Sequence, residues 1–441
     1  MANDNRPLVL LLGSARYTVE ACVRLGIDAV IVSGARENDA GLAAHGQPTV
    51  LRVDDQASPE AVLGALHRAG LAQRTFDAVV TSDEFALVTA GLIAEHLGCR
   101  AIDARTALRF RDKYLQKALV AEAGIDTARV RVIEDVHDVS AVTELPSTSA
   151  VLKPVAGAST RLTAVVDSVA ELHELSHRYR AAGTSERTFV LEEFIGGEEW
   201  IADGIVFDGE VLFWSLGAYG DPCLTALDEG VPLWMRRIDP DTEQWRYEKA
   251  EPVVLGALRA LGLTHGVFHM ELFHDPVTGR LAFGECGARR GGAFIQEEVQ
   301  AKFGVDLGEA MLLCALGRRP ELNVKVRPGI VGAAYLPGRP GVLIDLPSAA
   351  DLMALPGVAY ARVEVPVGTV WSGGAAGTDQ RAAQILAVAG SEAELRQRFA
   401  EARQWFDERL IVAPHPATPR ELRSWQRNTW PQSDLGDRLW L

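Results

Sequence analysis

The stretch VFHMELFHDPVTGRLAFGECGARRGG, from Val267 to Gly292, reads as two apolar strands joined by a tight turn. Each strand carries one glutamate, Glu271 and Glu285, where a core residue is expected. Val277-Thr278-Gly279 suits a three-residue hairpin loop, with glycine at the position that needs positive φ. Pairing Pro276 with Arg280 then sets Phe273 opposite Phe283, Glu271 opposite Glu285 and His269 opposite Gly287. Side chains two apart share a face. His269, Glu271, Phe273, Phe283 and Glu285 are therefore expected on one face, with Met270 and Leu272 on the other. Like charges directly opposite one another destabilise a sheet. Three arrangements relieve the repulsion: solvated carboxylates, a shared proton that raises one pKa, or a divalent cation between them. Phenylalanine on the same face counts against solvation. Arg289 and the flexible Gly291-Gly292 pair, just after the second carboxylate, count for a site. Mg2+ held by one or two carboxylates usually takes phosphates as further ligands, which directs attention upstream, to a nucleotide site.

Two lysines stand there. Lys153 ends the strand-like SAVLKP and precedes Gly157, Ala158, Ser159 and Thr160. Small side chains let backbone N–H groups approach phosphate oxygens, and a lysine adds a point charge. The same composition also suits an ordinary turn, and it is not a Walker A motif. Lys113, in RDKY, sits at a helix start and alone reads as a surface lysine. In LEEFIGGEEW an apolar strand ends in Glu192-Glu193 and a glycine turn leads to Glu198-Glu199. Either these are solvated acids, or the strand end offers hydrogen bonds to a planar base and Glu199 accepts ribose hydroxyls.

Around these motifs, residues 8–105 alternate strand and helix: LVLLLG and AVIVSG as buried parallel strands, TVEACVRLG as the helix between them, FDAVVTSD as a further strand. This is a doubly wound α/β domain. Its first turn, GSAR, lacks the dinucleotide fingerprint. One helix is expected over TALRFRDKYLQKALVAEAG, closed by Gly124. IADGIVF and EVLFWSLGA form a hairpin at Asp208-Gly209. Residues 219–247, rich in Pro, Gly and Asp, read as a functional loop. Asp228, Glu229, Trp234, Arg236 and Arg237 are its candidates for lining a substrate pocket. Two helices follow the Glu271/Glu285 hairpin. A smaller mixed unit runs from Pro320 to about Val412, and a tail with Trp425, Trp430 and Trp440 is expected to pack on the body.

A chain of 441 residues supports two to four domains or subdomains. It is 48% hydrophobic and 23% charged, an ordinary soluble composition. A formal net charge of −15 argues against nucleic-acid or anionic-membrane binding. No apolar run reaches the roughly 18 residues that span a bilayer, and the N-terminus reads as a first strand, not an export signal. The five cysteines are scattered without Cys-x-x-Cys spacing, which fits a reduced, cytoplasmic protein without disulfides or structural zinc. His265, His269 and His274 do not form a closed zinc set. Cys286 alternates away from the glutamates and reads as core.

The motifs DKYLQKALVAEAGI, VLKP with GAST, LEEFIGGEEW, HMELF and GECGARRGG occur in that order within residues 1–412. In this order the chain resembles the ATP-grasp superfamily, and within it the carboxylate–amine ligases of the L-amino-acid ligase (dipeptide synthetase) kind. The resemblance implies an α/β and α+β ATP-grasp fold. Residues 1–105 would be an N-terminal doubly wound domain, 106–190 a small subdomain with the phosphate loop, 191–320 a catalytic subdomain and 321–441 an appended subdomain with tail. It implies ATP as cofactor, with Lys113 and Lys153 on its phosphates and Lys153 also near the base. The Gly157–Thr160 loop would close over the β- and γ-phosphates. Glu192 and the backbone of Glu193, Phe194 and Ile195 would read adenine, and Glu199 the ribose. Glu271 and Glu285 would hold two Mg2+ ions, with Mn2+ as a substitute. Arg289 would stabilise an acyl phosphate and the tetrahedral intermediate. Gly291, Gly292 and His269 would adjoin substrate.

Two departures stand out. The commonest pattern after the second glutamate is E-x-N-x-R, and Gly287 replaces its asparagine; Arg161 stands where a glycine is common. The expected activity is ATP-dependent joining of a small carboxylate, such as an amino acid, to an amine, with ADP and phosphate released. The implied assembly is a homodimer, and a carrier protein is a further partner to consider. Alternatives are a biotin-carboxylase-like subunit, a ligase that loads an amino acid onto a carrier or natural-product scaffold, and a non-catalytic ATP-binding protein.

Overall fold

The computed structural model describes residues 6–35, 48–224, 226, 232–371 and 381–429. Glu229, Asp228, Trp430 and Trp440 lie outside the described residues. The chain divides into two compact units, residues 1–222 with 237–327, and residues 223–236 with 328–441.

The first unit opens with β1 (Leu8–Leu12), α1 (Arg16–Leu25), β2 (Asp28–Ser33), β3 (Thr49–Arg52), α2 (Pro59–Arg68), β4 (Ala78–Thr81) and α3 (Leu87–Leu97). The strands form a parallel sheet in the order β3-β2-β1-β4. β1 is apolar at every position because helices cover both faces. The chain leaves β1 toward β2 and later returns on the other side as β4. Such a switch point leaves a crevice beyond the carboxyl ends of β1 and β4, where doubly wound folds bind ligands.

Next come α4 (Ala104–Arg109) and α5 (Lys113–Glu122), not the single helix expected over this stretch. Asp112 is the reason. Its side chain accepts a hydrogen bond from Leu115 N at 2.9 Å, capping a new helix whose first residue is Lys113. The small subdomain has β5 (Val130–Ile133), β6 (Ala150–Pro154), β7 (Ala164–Val166), α6 (Val169–Ala182) and β8 (Phe189–Glu193), in antiparallel order β5-β8-β6-β7.

A second sheet of the first unit's later part is built on β9 (Glu198–Phe207) and β10 (Glu210–Tyr219), which turn at Asp208-Gly209. After β11 (Trp234–Arg237) follow α7 (Gln244–Leu261), β12 (Gly266–His274), β13 (Leu281–Gly287), α8 (Ile295–Phe303) and α9 (Leu307–Ala315). Residues 219–247 are thus less irregular than expected, since they contain β11 and the start of α7. In this unit the strands run β13-β12-β9-β10. Trp200, Phe268, Met270, Leu272, Phe283 and Cys286 form the core on the side of α7.

Register along the hairpin agrees with expectation at the site end and departs near the turn. His269 pairs with Gly287 and Glu271 with Glu285, but then Leu272 pairs with Phe283 and Phe273 with Ala282. Gly284 is the extra residue of a β-bulge. A Cβ there would lie 2.8 Å from both Glu271 O and the Phe273 ring, closer than any side chain tolerates. Beyond the bulge the faces invert, so Phe283 is buried with Met270 and Leu272 and does not share the glutamate face. The loop is correspondingly longer: Asp275 N donates to Arg280 O at 2.9 Å, and Pro276 does not pair with Arg280.

The second unit has β14 (Ile330–Leu336), β15 (Gly341–Asp345), α10 (Ala349–Met353), β16 (Val358–Val363), β17 (Val370–Trp371), β18 (Ala383–Ala389), α11 (Glu392–Arg409), β19 (Ile411–Ala413) and α12 (Pro419–Thr429). Its strands pair as β11-β14-β18-β16 and β17-β15-β19. α11 lies on β14 and β18 over a core of its own, with Leu343, Leu395, Phe399 and Phe406.

Candidate active site

One face of β13, β12 and β9 carries Glu285, Glu271, His269, Asp203 and Glu199, because period-two alternation places them together and their partners Trp200, Met270 and Cys286 in the core. Opposing carboxylates meet there as the sequence suggests. They are not equivalent. Lys113 Nζ lies 3.0 Å and Lys153 Nζ 3.4 Å from Glu285 Oε2. Burial alone would raise the Glu285 pKa, but these two ammonium groups outweigh it and hold the carboxyl far below the usual range. Glu271 has its shift in the other direction. Burial, then the charges of Glu285 and Glu199, push it well up. A buried pair of facing carboxyls, one lowered and the other raised, is a place where an added cation is favourable.

The lysines are themselves fixed. Lys113 Nζ donates to Gly157 O at 3.0 Å and its backbone N–H to Val155 O at 2.9 Å, so the start of α5 holds the small-residue loop. Arg111 also donates to Ala156 O. In that loop Ser159, Thr160 and Leu162 have φ of 58°, 56° and 55°, left-handed values that few non-glycine residues adopt. Lys153 Nζ bridges from Glu285 to Glu192 Oε1 at 3.2 Å. Lys153 stays charged although buried, since Glu192, Glu285 and Glu271 outweigh the desolvation that would lower its pKa. Lys117, one turn after Lys113, lies 3.3 Å from Glu192 Oε2 and donates to Gly284 O at 2.6 Å. Burial lowers its pKa despite Glu192. Lys117 therefore ties the bulge carbonyl to the small subdomain.

Behind the glutamates runs a buried chain of charges. His269 Nδ1 lies 2.8 Å from Asp203 Oδ1, Arg237 Nη1 2.8 Å from Asp203 Oδ2, and Arg237 Nε 2.9 Å from Glu298 Oε2. Neither Asp203 nor Arg237 has any exposed side-chain surface. His269 Nε2 points to Glu271 Oε1 at 4.0 Å. A Cβ on Gly291 would collide with Ile295 Cδ1 and would lie 2.9 Å from His269 Nδ1 and 3.0 Å from Asp203 Oδ1. Gly292 faces open space.

A family model for the ATP-grasp N-terminal domain matches residues 19–99. The L-arginine-specific L-amino acid ligase of Bacillus subtilis is 26% identical over 323 residues, 72% of this chain and 76% of its own length. A solved L-amino acid ligase from Bacillus licheniformis superposes with a TM-score of 0.73 at 21% identity, covering 93% of this chain and 99% of its own. The chain has the ATP-grasp fold and is similar in sequence to amino acid ligases that share it. A carboxyaminoimidazole ribonucleotide synthase from Aspergillus clavatus, solved in complex with ATP, shares the fold with a TM-score of 0.72 at 16% identity over 92% of this chain and 99% of its own.

Lys113, Lys153, Glu192, Glu271, Glu285 and Arg289 all belong to one connected constellation in the first unit. Glu192 differs in its surroundings from a base reader, since both its oxygens face lysines. Glu193 pairs with Arg280 at 2.9 Å, and the backbone N–H groups of Glu193 and Phe194 donate to Arg129 O and Ser149 O at 2.8 and 3.1 Å. Phe194 is exposed and Ile195 half-buried, whereas Glu199 is buried on the glutamate face. Two substrate candidates, Trp234 and Arg236, belong to the second unit. Trp234 packs on Phe399 and under Arg396, and Arg236 pairs with Glu392 at 2.9 Å. Their neighbour Arg237 is the one that joins the site.

Four participants escape sequence reading: Glu84, Lys117, Asp203 and Glu298. Signals existed for two. Asp203 is an acid in an otherwise apolar strand, and Glu84 follows a parallel strand at the carboxyl edge, where doubly wound domains place functional groups.

Proposed function

We propose that the ligase transfers the γ-phosphoryl group of ATP to a carboxylate and passes the resulting acyl phosphate to an amine, forming an amide and releasing ADP and phosphate. The acyl donor is an amino acid or small carboxylic acid, and the acceptor an amino acid, peptide or amine. One observation carries this reading: Lys113 and Lys153 converge on Glu285 beside the raised Glu271 carboxyl, so anion-binding and cation-binding groups meet at one point. The donor set suits Mg2+, a hard ion that takes one or two carboxylates and completes its shell with phosphate oxygens and water. Among the described residues no group of three or more His, Cys, Asp and Glu is placed to hold a metal ion. A bound divalent ion would neutralise charge on the transferring phosphoryl group. Glu271 and Glu285 would hold it, with Mn2+ as the substitute.

On this proposal, Lys113 and Lys153 exchange their carboxylate partners for phosphate oxygens, and the 157–160 loop covers them. Adenine is read by the strand end at Glu193–Ile195 through groups other than the two committed N–H donors, and the ribose by Glu199. Arg289, with Gly291, Gly292 and His269, adjoins the carboxylate being activated. No nucleophilic side chain is needed, since the site acts by positioning and electrostatics. The buried Cys286 thiol, its pKa pushed well up by burial and then by Glu84, takes no part. Homodimer assembly and cytoplasmic location belong to the same proposal. Among the described residues no helix is long and apolar enough to cross a membrane.

The test is an ATP-dependent phosphate-release screen over amino acids and small acids offered in pairs, with mass spectrometry of the positive wells. ADP, phosphate and an amide are expected together, and Glu285→Ala should abolish all three. AMP in place of ADP, ADP without an amide in every pair, or unchanged turnover in Glu285→Ala would refute the mechanism.

A further inference from the structure

We infer that Glu84, in the leading α/β domain, is the positioning residue of Arg289, and that Gly287 is a glycine in order to admit it. The inference rests on the role given above to Arg289.

Glu84 follows β4 at the switch-point crevice. Thr81 Oγ1 donates to Leu12 O at 2.7 Å and accepts from Asp83 N at 3.0 Å, which joins the ends of β1 and β4. Asp83 in turn accepts from Gln56 Nε2 at 2.7 Å and from Phe85 N at 3.0 Å. The turn that carries Glu84 is therefore pinned on both sides. Glu84 Oε2 accepts from Arg289 Nε, and Oε1 accepts from Arg111 Nη1 at 2.8 Å. Arg289 Nη1 donates to Arg290 O at 2.8 Å. Two bonds on different nitrogens fix the plane of a guanidinium.

Glu84 is held ionised. Burial would raise its pKa, but Arg289, Arg111 and Lys113 together keep it below the ordinary value. The neighbouring Arg290 lies 3.3 Å above the ring of Tyr17, at the start of α1. The turn after β4 and the start of α1 thus hold the consecutive arginines. Doubly wound domains use this crevice to bind ligands; here it grips two side chains of the catalytic subdomain.

Gly287 leaves the space that Glu84 occupies. A Cβ on it would lie 3.1 Å from Glu84 Oε2 and 3.4 Å from Arg289 Cγ. The asparagine of the E-x-N-x-R pattern and the Glu84 carboxylate would compete for one space. Residues 84 and 287 are a matched pair.

The experiment uses the full chain and a donor–acceptor pair found in the phosphate-release screen. Glu84→Gln should fold, as read by its melting temperature, and bind a fluorescent ATP analogue within about twofold of the parent. Its kcat should fall about a hundredfold, the usual scale for a misplaced catalytic group, and Glu84→Asp should recover part of that loss. Gly287→Asn should lower kcat in the parent and have a much smaller effect in Glu84→Ala, so the two substitutions are not multiplicative. A Glu84→Gln kcat within about twofold of the parent, or independent effects at 84 and 287, would overturn the inference. If Glu84→Gln does not fold, Gly287→Ala decides in two backgrounds, the parent and Glu84→Asp. The added methyl should lower kcat in the parent and lose that effect when combined with Glu84→Asp, whose shorter side chain leaves room; equal effects would overturn the pairing. Arg289→Met separates the two levels. Turnover retained in that variant sinks the role of Arg289 and the inference with it. Turnover lost there but unchanged in Glu84→Gln sinks only the inference.

Discussion

Asp203 shows what the buried charges contribute. Fully enclosed, it lies between His269 and Arg237, and removing one partner of a buried ion pair commonly costs about 3 kcal/mol or more. Burial would raise its pKa, but His269 and Arg237 outweigh that and hold it below 3.8. A carboxyl lowered on folding stabilises the native state above its unfolded pKa, and the gain disappears as pH falls through the lowered folded value. Asp203→Asn should therefore be about 3 kcal/mol less stable than the parent near neutrality, with the gap narrowing as pH drops below 3.8. Urea titrations at several pH values measure this, and a gap that stays constant into acid would contradict it. At this scale strand period marked the facing glutamates and local composition marked Lys153, whereas Lys113 was singled out only by the family resemblance. Glu84 and Arg289 are 205 positions apart. Local pattern does not encode such a meeting.

The elements were legible in kind and less so in detail. Strand and helix order through the first unit follows apolar periodicity, and the Asp208-Gly209 turn is where its sequence places it. The departures come from single residues with local chemistry. Asp112 splits one expected helix by capping a second, which sets Lys113 on the first turn facing Glu285. Gly284 inserts a bulge that period-two counting passes over, and this sends Phe283 to the core. A glycine inside a strand is the available signal for such a bulge. Gly284→Ala should cost about 2 kcal/mol, the scale of overpacking in a tight interior. It should also lower turnover, since Lys117 holds the bulge carbonyl and Glu285 is the next residue. Denaturant unfolding alongside the phosphate assay tests both, and an alanine variant equal to the parent in both would show that the bulge has room to relax.

Across the molecule, the candidate site draws its groups from the first unit, whereas the second has a separate core around Leu395 and Phe406. A ligand that binds only the native state stabilises it by about 2.7 kcal/mol at a hundred times its dissociation constant. A non-hydrolysable ATP analogue with Mg2+ should therefore slow hydrogen exchange at 113–117, 150–160, 189–199 and 269–289 and leave β14 and β18 largely unchanged. Equal protection in both units would mean that the nucleotide is held elsewhere or by both. The order of motifs made the fold readable at this scale, and the segment 219–247 was the hardest part, because its charged residues divide between two units. The pairing of residues 84 and 287 bears on how relatives can be recombined. Any crossover that falls between these positions separates them. A chimera that takes its leading domain from one parent and the Glu285–Arg289 strand from another would then combine a carboxylate with an asparagine, or a glycine with nothing to fill it. Hybrids built to widen substrate range should exchange the two positions together.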